Sequence, residues 1–411
     1  MPPVLTTCTA CGCTCDDIRL SVDGEGAVTK ADHACEIGQQ WFARPPATGP
    51  VAMIEGREAT LDEALARAAE ILQGARLPLV TGLQQATTEA VRAAMALADQ
   101  LGACIDWTAS DADAASTLAL QNAGSVTASL GEVAQRSDMV LVWGMDLATT
   151  HPRHFERYSL EPTSAWIDGR EDRTLIVIDG SSTATAKLAD EYVQLDPNRS
   201  YEALVVLRSL LADITLDAAT VKQQTGVAID KWQELVEKMK AAKYGAMIHG
   251  GGLAASRECL IALTQLMADL TAHTRWVAMP AGSAGNKAGA ASVLTWQTGY
   301  PLGVNLAEGY PQYGPGEWTT AAMLERGEAD AALLIGFEGD GPSIPTVALD
   351  WQSTNAMASA TVAIRTARPG VECGGTTQRV DGVMLPIRAA RTTDAPTTEE
   401  ALEKLKSLIE E

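Results

Sequence analysis

The stretch LDEALARAAEILQGARLPLVTG, residues 61–82, contains the repeating unit that decides the fold class. Its first part has apolar residues at the 3.6-residue spacing of an amphipathic helix, which predicts a helix over 61–74 that ends at Gly74. The second part, LPLVTG, is a short apolar run ending in glycine and predicts a buried strand. A helix followed by a wholly apolar strand is typical of a parallel sheet with helices on both faces.

The same alternation continues along most of the chain. Further helices are predicted over 86–102, 199–213, 228–242, 256–270 and 397–411. Further apolar strands are predicted in 103–106, 139–144, 174–180, 246–252 and 332–339. We therefore predict a doubly wound α/β fold with two such units. Residues 277–318 break the pattern, since they are rich in Gly, Pro, Tyr and Trp, and they are predicted to form a long ordered loop along a functional surface.

The charge balance limits the classes of partner. The 411 residues include 52 Asp and Glu against 31 Lys and Arg, which gives a formal net charge of -21. Because such a surface repels phosphate, we expect no nucleic acid and no anionic membrane as a partner. No apolar run reaches the roughly 18 residues of a membrane span, and the N-terminus lacks the pattern of a signal peptide. These features predict a soluble cytoplasmic protein.

The cysteines predict a metal centre near the N-terminus. Five of the eight lie in the first 35 residues: Cys8, Cys11, Cys13, Cys15 and Cys35. The spacing Cys8-x2-Cys11-x3-Cys15, followed by Cys35, offers the four thiolates that a [4Fe-4S] cluster needs. Structural zinc fits this three-plus-one pattern less well but stays open, as do unligated thiols. Cys13 is a spare thiol that could replace a neighbour as ligand.

Other candidate residues give weaker signals. Gly144 and Gly180 follow apolar strands, where doubly wound folds bind nucleotides or pterins, but neither belongs to a G-x-G-x-x-G motif. His151 and His154 are three residues apart and could share a helix face, although two imidazoles without a third ligand are a weak metal site. The remaining cysteines are predicted to be core residues: Cys104, Cys259 and Cys373.

Four segments together resemble the B subunit of formylmethanofuran dehydrogenase, a relative of the molybdopterin oxidoreductases. They are CTACGCTCDDI (8–18), LGEVAQRSDMVLVWGMDLATTHPRHFERYS (130–159), TLIVIDGSSTATAKLAD (174–190) and WQTGYPLGVNLAEGYPQYGPGE (296–317). The resemblance implies a Cys-rich [4Fe-4S] domain over 1–50. It also implies two interleaved α/β domains, 51–145 with 277–411 and the inserted 146–276, which hold a molybdenum or tungsten bis-pterin centre.

The sequence departs from that family at its catalytic positions. Ala112 stands where the family has a cysteine or selenocysteine metal ligand, and Asp113 where a histidine is expected. Gly282 replaces an arginine and Ala284 a histidine. The resemblance therefore leaves molybdopterin doubtful and implies no catalytic residue of the chain's own. A vestigial pterin site would lie near Gly144, His151, His154 and Asp179.

In lacking these residues, the sequence resembles the B subunit of the bacterial formyltransferase/hydrolase complex. That resemblance implies a non-redox scaffold in tetrahydromethanopterin-linked oxidation of formaldehyde to formate. The implied partners are an amidohydrolase-like A subunit, a C subunit and a formyltransferase D subunit. One alternative is a redox-active B subunit whose metal is held by Asp113 or Ser110. A second alternative is an iron–sulfur electron-transfer module.

Overall fold

The structure, a computed structural model, describes residues 2–24, 26–45, 49–254 and 256–410. The chain divides into two compact units. The first consists of Met1–Ser110 and Ser283–Glu411, and the second of Asp111–Gly282. The division thus falls at 110 and 283, whereas the sequence predicts it at 145 and 277. It differs because the strand Met139–Trp143 pairs with strands of the second unit on both of its sides.

The strands of the described residues follow in chain order. They are β1 (Val4–Thr6), β2 (Ile18–Val22), β3 (Val28–Asp32), β4 (Ala52–Ile54), β5 (Arg57–Ala59), β6 (Pro78–Gly82), β7 (Cys104–Asp106), β8 (Met139–Trp143), β9 (Thr174–Asp179), β10 (Glu191–Gln194), β11 (Tyr244–His249), β12 (Arg275–Pro280), β13 (Val304–Asn305), β14 (Gln312–Tyr313), β15 (Ala331–Ile335), β16 (Thr346–Asp350), β17 (Val362–Arg365), β18 (Gly375–Gln378) and β19 (Met384–Ile387).

The α-helices are numbered in the same way. They are α1 (Glu36–Phe42), α2 (Leu61–Gln73), α3 (Thr88–Leu101), α4 (Asp111–Ala123), α5 (Leu130–Arg136), α6 (Leu147–Thr150), α7 (Ala184–Leu188), α8 (Ser200–Leu211), α9 (Ala218–Thr225), α10 (Ile229–Ala241), α11 (Gly251–Ala254), α12 (Arg257–Thr271), α13 (Lys287–Thr298), α14 (Thr320–Glu325), α15 (Asn355–Ser359) and α16 (Thr398–Glu410). A π-helical turn spans Phe155–Ser159.

The first unit is built on a nine-stranded sheet in the order β14-β13-β7-β6-β15-β16-β17-β4-β5. Its five central strands are parallel and almost wholly buried, as their apolar sequences predict. Short antiparallel strands extend it at both edges, so the sheet is mixed where the sequence predicts a parallel one. The helix predicted from residue 61 begins there because Thr60 and Glu63 form a reciprocal capping box.

The second unit is built on a five-stranded parallel sheet in the order β10-β9-β8-β11-β12. Helix α8 packs against both α10 and α12, and the buried side chains of the three helices form one core with those of the sheet. The apolar strands and amphipathic helices predicted for this region are therefore confirmed. The α/β fold class is confirmed for both units.

Part of the predicted loop 277–318 is regular structure. Residues 275–280 form β12 and 287–298 form α13, which ends at Gly299 in a left-handed conformation with φ 88°. The prediction of a continuous loop is wrong because KAGAASVLTWQT lacks a strong apolar period, although its alanines favour a helix.

The N-terminal residues form a three-stranded antiparallel sheet, β1-β2-β3, followed by α1. Thr6 is tied to the end of the first unit, since its Oγ1 donates to the Arg388 carbonyl at 3.1 Å. A separate domain over 1–50 stays a prediction, and residues 46–48 at its proposed exit lie outside the described part of the chain. Among the described residues, no helix combines the length and the apolarity needed to cross a bilayer.

Candidate metal centre

The loop between β1 and β2 carries three of the four predicted ligands. Its ends are joined because the Cys8 amide donates to the Cys15 carbonyl at 2.8 Å. An inner turn forms where the Thr14 amide donates to the Cys11 carbonyl at 3.2 Å, with Thr14 at φ 44°. These bonds fold the loop back on itself, which brings the cysteines of the close trio into one neighbourhood.

The fourth predicted ligand, Cys35, immediately precedes α1 and lies beside Cys8. Gly38 shows their proximity, because a Cβ added at Gly38 would lie 3.4 Å from the Cys8 Sγ and 3.9 Å from the Cys35 Sγ. The Cys8 thiol also interacts electrostatically with Cys11, Cys15 and Cys35. The structure therefore places Cys35 near Cys8, and the assignment of the four cysteines as ligands stays a prediction.

The thiols of this loop differ in how easily they lose a proton. Burial raises the pKa of Cys8 far above its usual value. A hydrogen bond with the Cys13 side chain lowers the pKa of Cys11 to about 7, and the same bond raises the pKa of Cys13. Because the thiolate is the form that ligates metals, this hydrogen bond favours the ligating form of Cys11.

The donor set suits a thiolate-bound centre, since its members are cysteine sulfurs. Within the described residues, no group of three or more His, Cys, Asp or Glu side chains is arranged so that it could hold a metal ion. Four neighbouring cysteine sulfurs have the chemistry that iron–sulfur clusters and structural zinc require. Binding would then need the sulfurs to close on the metal, as occurs where a site forms together with its metal.

A buried arginine next to this loop has no signal in the sequence. The side chain of Arg368 is 2% exposed, and its guanidinium lies 4.2 Å from the ring centre of Trp41 and 4.4 Å from that of Trp351. Burial lowers the pKa of Arg368 to about 9, while the negative charge of Glu372 opposes that shift. The group is therefore a cation at neutral pH inside the protein.

Ala112, Gly282 and Ala284 carry no side chain that could bind a metal or transfer a proton. Ala112 lies half-buried in the first turn of α4, where its methyl group offers no ligand atom. Gly282 has φ 85°, a conformation that disfavours any residue with a side chain. Ala284 is exposed. Ser110 and Asp113 flank Ala112 and are oxygen donors close to it in sequence.

The residues predicted for a vestigial pterin site lie in the second unit. Gly144 and Asp179 follow or end parallel strands, with Gly144 at φ 69°. His151 shares a 2.9 Å hydrogen bond between its Nδ1 and the Thr150 hydroxyl. His154 Nδ1 is 2.9 Å from the Ser159 hydroxyl, and the two imidazole rings are 6.5 Å apart.

These groups supply little positive charge. Burial lowers the pKa of His151, which keeps its imidazole neutral at pH 7. Arg153 forms an ion pair with Glu156 at 2.7 Å, so its charge is already matched. Phosphate groups of a pterin cofactor are usually held by arginine or lysine. The residues named for the vestigial site therefore do not fit an anionic cofactor.

A further buried histidine has no assigned role in the sequence analysis. His249 ends β11 and is 7% exposed, and its Nδ1 has no hydrogen-bond partner among the described residues. Burial lowers the pKa of His249 to about 4. A histidine at the end of an apolar run, followed by three glycines, is the signal that points to it.

Two buried carboxylates in the first unit also lie outside the sequence-based predictions. Asp106 ends β7, where burial raises its pKa to about 6 and Thr320 donates to it from both the amide and the hydroxyl at 2.8 Å. Asp350 ends β16, where burial raises its pKa to about 7. Asp106 accepts its hydrogen bonds from other groups of the protein, so its role is structural.

Comparison with solved structures shows which proteins share the fold. One chain of the formyltransferase/hydrolase complex (FhcABCD) from Methylorubrum extorquens, solved with methylofuran, superposes with a TM-score of 0.74 at 24% identity, over 87% of this chain and 99% of that one. Acetylene hydratase from Pelobacter acetylenicus superposes with a TM-score of 0.69 at 12% identity, over 100% of this chain and 70% of that one. At these identities the likeness shows the fold alone.

Sequence comparison then shows the family. The chain is 35% identical to the B subunit of the tungsten-containing formylmethanofuran dehydrogenase 2 from Methanocaldococcus jannaschii, over 95% of this chain and 93% of that protein. The chain therefore belongs to the family of formylmethanofuran dehydrogenase B subunits. It is also 26% identical to the B subunit of the formyltransferase/hydrolase complex Fhc from Methylorubrum extorquens, over 69% of this chain and 74% of that protein. No family model matches the chain.

Proposed function

We propose that the chain is a non-redox scaffold subunit of a formyltransferase/hydrolase complex in tetrahydromethanopterin-linked one-carbon metabolism. One observation carries the proposal: residues without functional groups, Ala112, Gly282 and Ala284, stand at three positions where the redox family has a metal ligand, an arginine and a histidine. Losing all three together removes both the metal ligand and the polar groups around it. The formyl chemistry then belongs to the partner subunits.

The similarity to the B subunit of the Methylorubrum complex supports this assignment. The charge state of two residues near the predicted pterin site supports it as well, because burial keeps His151 neutral and Arg153 is paired with Glu156. A subunit that held an anionic pterin would need free cations at this edge of its sheet.

The scaffold is proposed to keep one metal centre at Cys8, Cys11, Cys15 and Cys35. The centre is either a [4Fe-4S] cluster or structural zinc. Colour separates the two, since a cluster gives a brown protein whose visible absorption bleaches with dithionite, and zinc gives a colourless one. A reducible cluster in a chain that does not assemble with the other subunits would instead favour an electron-transfer module.

The proposed partners are the A, C and D subunits of such a complex. Two large side chains of residues 277–318 support a protein surface there, because Trp296 is 61% exposed and Tyr310 is 59% exposed. Exposed aromatic residues are enriched at protein interfaces. A chain that is a monodisperse monomer on its own, and that does not co-purify with the other subunits, would contradict the complex.

The test is the metal content and the redox activity of the intact purified complex. The proposal predicts neither molybdenum nor tungsten and no dye-linked oxidation of formate, together with hydrolytic release of formate. Stoichiometric molybdenum or tungsten, or formate oxidation, would overturn it.

A second candidate is a redox-active B subunit. The 35% identity to a subunit of a tungsten-containing enzyme favours it. Ser110 or Asp113 would then replace the missing thiolate with an oxygen ligand. In that case Asp113→Ala should remove the metal while the neighbouring Asp111→Ala keeps it. Equal metal content in both variants would count against Asp113.

A further inference from the structure

Arg368 places a buried positive charge between two tryptophans of the first unit. Trp41 belongs to α1, and Trp351 follows β16. The two indole rings are 6.1 Å apart and inclined by 64°, and the guanidinium lies 4.2 Å from one ring centre and 4.4 Å from the other. Such stacking fixes the position of the charge and contributes cation–π attraction.

No carboxylate of the described residues neutralises this charge directly. The guanidinium donates to two carbonyl oxygens, that of Arg44 at 3.0 Å and that of Trp41, while its Nε has no partner there. Glu372 accepts from the backbone amide of Arg368 and pairs its other oxygen with Arg391 at 2.5 Å. A buried cation without an ion-pair partner is costly, so the fold is expected to supply a counter-charge.

The cysteine loop lies beside this arginine and would become a source of negative charge if its cysteines bound a metal as thiolates. Gly38 and Trp41 are three residues apart on α1 and therefore lie on the same face of the helix. Gly38 lies against the sulfurs of Cys8 and Cys35, and Trp41 stacks on Arg368. The helix thus places the guanidinium about one turn from the sulfurs, and Cys8 interacts with it electrostatically.

We propose that Arg368 is the counter-charge of the metal–thiolate centre, held in place by Trp41 and Trp351. Four thiolates around one zinc ion, or around an oxidised [4Fe-4S] cluster, leave a net negative charge that a buried cation would offset. The inference rests on the proposed metal centre. Arg368 acts as a positioning residue for charge and does not ligate the metal.

The test compares Arg368→Met, Arg368→Lys and wild type as full-length protein in the purified complex. Removing the charge should weaken metal retention against a chelator by about 10- to 100-fold, as loss of a group next to the ligands does. Lysine should retain most of the affinity. If the metal is iron, Arg368→Met should also shift the reduction potential of the cluster to a more negative value.

In the metal-free protein, removing the charge is expected to leave stability unchanged or to raise it. Without metal the guanidinium has no counter-charge, so Arg368→Met should unfold at the same temperature as metal-free wild type or at a higher one. A purely structural role would lower both metal retention and metal-free stability, and that result, including a variant that does not fold, would overturn the inference. Unchanged metal retention in Arg368→Met would overturn it as well.

Arg326→Gln is the matched control, because Arg326 stacks over Trp318 at 5.8 Å but pairs with Glu328 at the surface. It should leave metal retention unchanged. The metal content of the wild-type complex tests whether the centre exists. If wild type holds neither iron nor zinc in stoichiometric amount, the centre is absent. If wild type holds metal and the Arg368 variants behave like it, only the role of Arg368 fails.

Discussion

The backbone amide of Cys8 donates to the carbonyl of Cys15 at 2.8 Å, which closes the cysteine loop across the two ends of the predicted ligand trio. The bond holds the two ends of the loop next to each other, so Cys8, Cys11 and Cys15 lie on one closed turn of the chain.

The ligand assignment predicts different outcomes for neighbouring cysteines. Cys8→Ser should reduce the metal content of the purified protein from stoichiometric to near zero and lower its unfolding temperature, because the metal stabilises the fold. Cys13→Ser should retain the metal, since Cys13 is the spare thiol. Metal analysis of both variants checks this. Loss of metal in Cys13→Ser with retention in Cys15→Ser would show that Cys13 is the third ligand of the loop.

Because Gly38 lies against two cysteine sulfurs, adding a single methyl group at this position should weaken metal binding. In Gly38→Ala the new Cβ would lie 3.2 Å from the Ala34 Cβ and 3.4 Å from the Cys8 Sγ, so metal retention should fall. In the control Gly131→Ala the nearest atom is Ser129 Oγ at 3.7 Å. The control should gain about 0.5–1 kcal/mol of unfolding free energy, the usual gain of alanine over glycine in a helix. Chelator competition and thermal unfolding measure the two effects. Equal metal retention in both variants would contradict the placement of Gly38.

His249 predicts a loss of stability in acid. The pKa of His249 is about 4 in the folded state and near 6.5 in the unfolded chain. Between these pH values the unfolded chain binds a proton at this imidazole that the folded protein does not bind, which favours unfolding. Acidification from pH 8 to pH 5 should therefore cost about 2 kcal/mol at this residue. His249→Phe should lose correspondingly less over that range, as chemical unfolding at both pH values would measure. A variant with the same pH dependence as wild type would contradict a buried neutral imidazole.

The exposed Trp296 predicts a contact with a partner subunit. Trp296→Ala should weaken assembly of the complex by about 2 kcal/mol, the size of an interface hot spot. Trp166 is equally exposed at 61% and lies outside residues 277–318, so Trp166→Ala serves as the matched control. Co-purification and titration of subunits measure the difference. Assembly that is unchanged in Trp296→Ala would exclude this surface.

The sequence predicts the fold well where the apolar pattern is strong. The helices over 61–73 and 88–101 and the strands β6, β8 and β9 form within two residues of their predicted ends, because local periodicity and caps define them. Helix α13 is not apparent from the sequence because its alanines, glycine and threonines give little period. The short antiparallel edge strands are hidden as well, because two or three residues carry no pattern of their own.

The residues of the candidate site are likewise only partly apparent from the sequence. The close cysteine trio is visible in the sequence, since its ligands lie within eight residues. Arg368 cannot be found there, because its role depends on Trp41, which is distant in the chain and joins it only in the folded first unit. The position of His249 at the end of an apolar strand is apparent from the sequence, but its burial is not.

Elemental analysis of the intact complex for iron, zinc, molybdenum and tungsten distinguishes a non-redox scaffold from a redox-active subunit. The account predicts iron or zinc in an amount consistent with one centre at the four cysteines, and neither molybdenum nor tungsten, because Ala112 provides no ligand. Stoichiometric molybdenum or tungsten bound to this subunit would contradict the assignment of a non-redox scaffold.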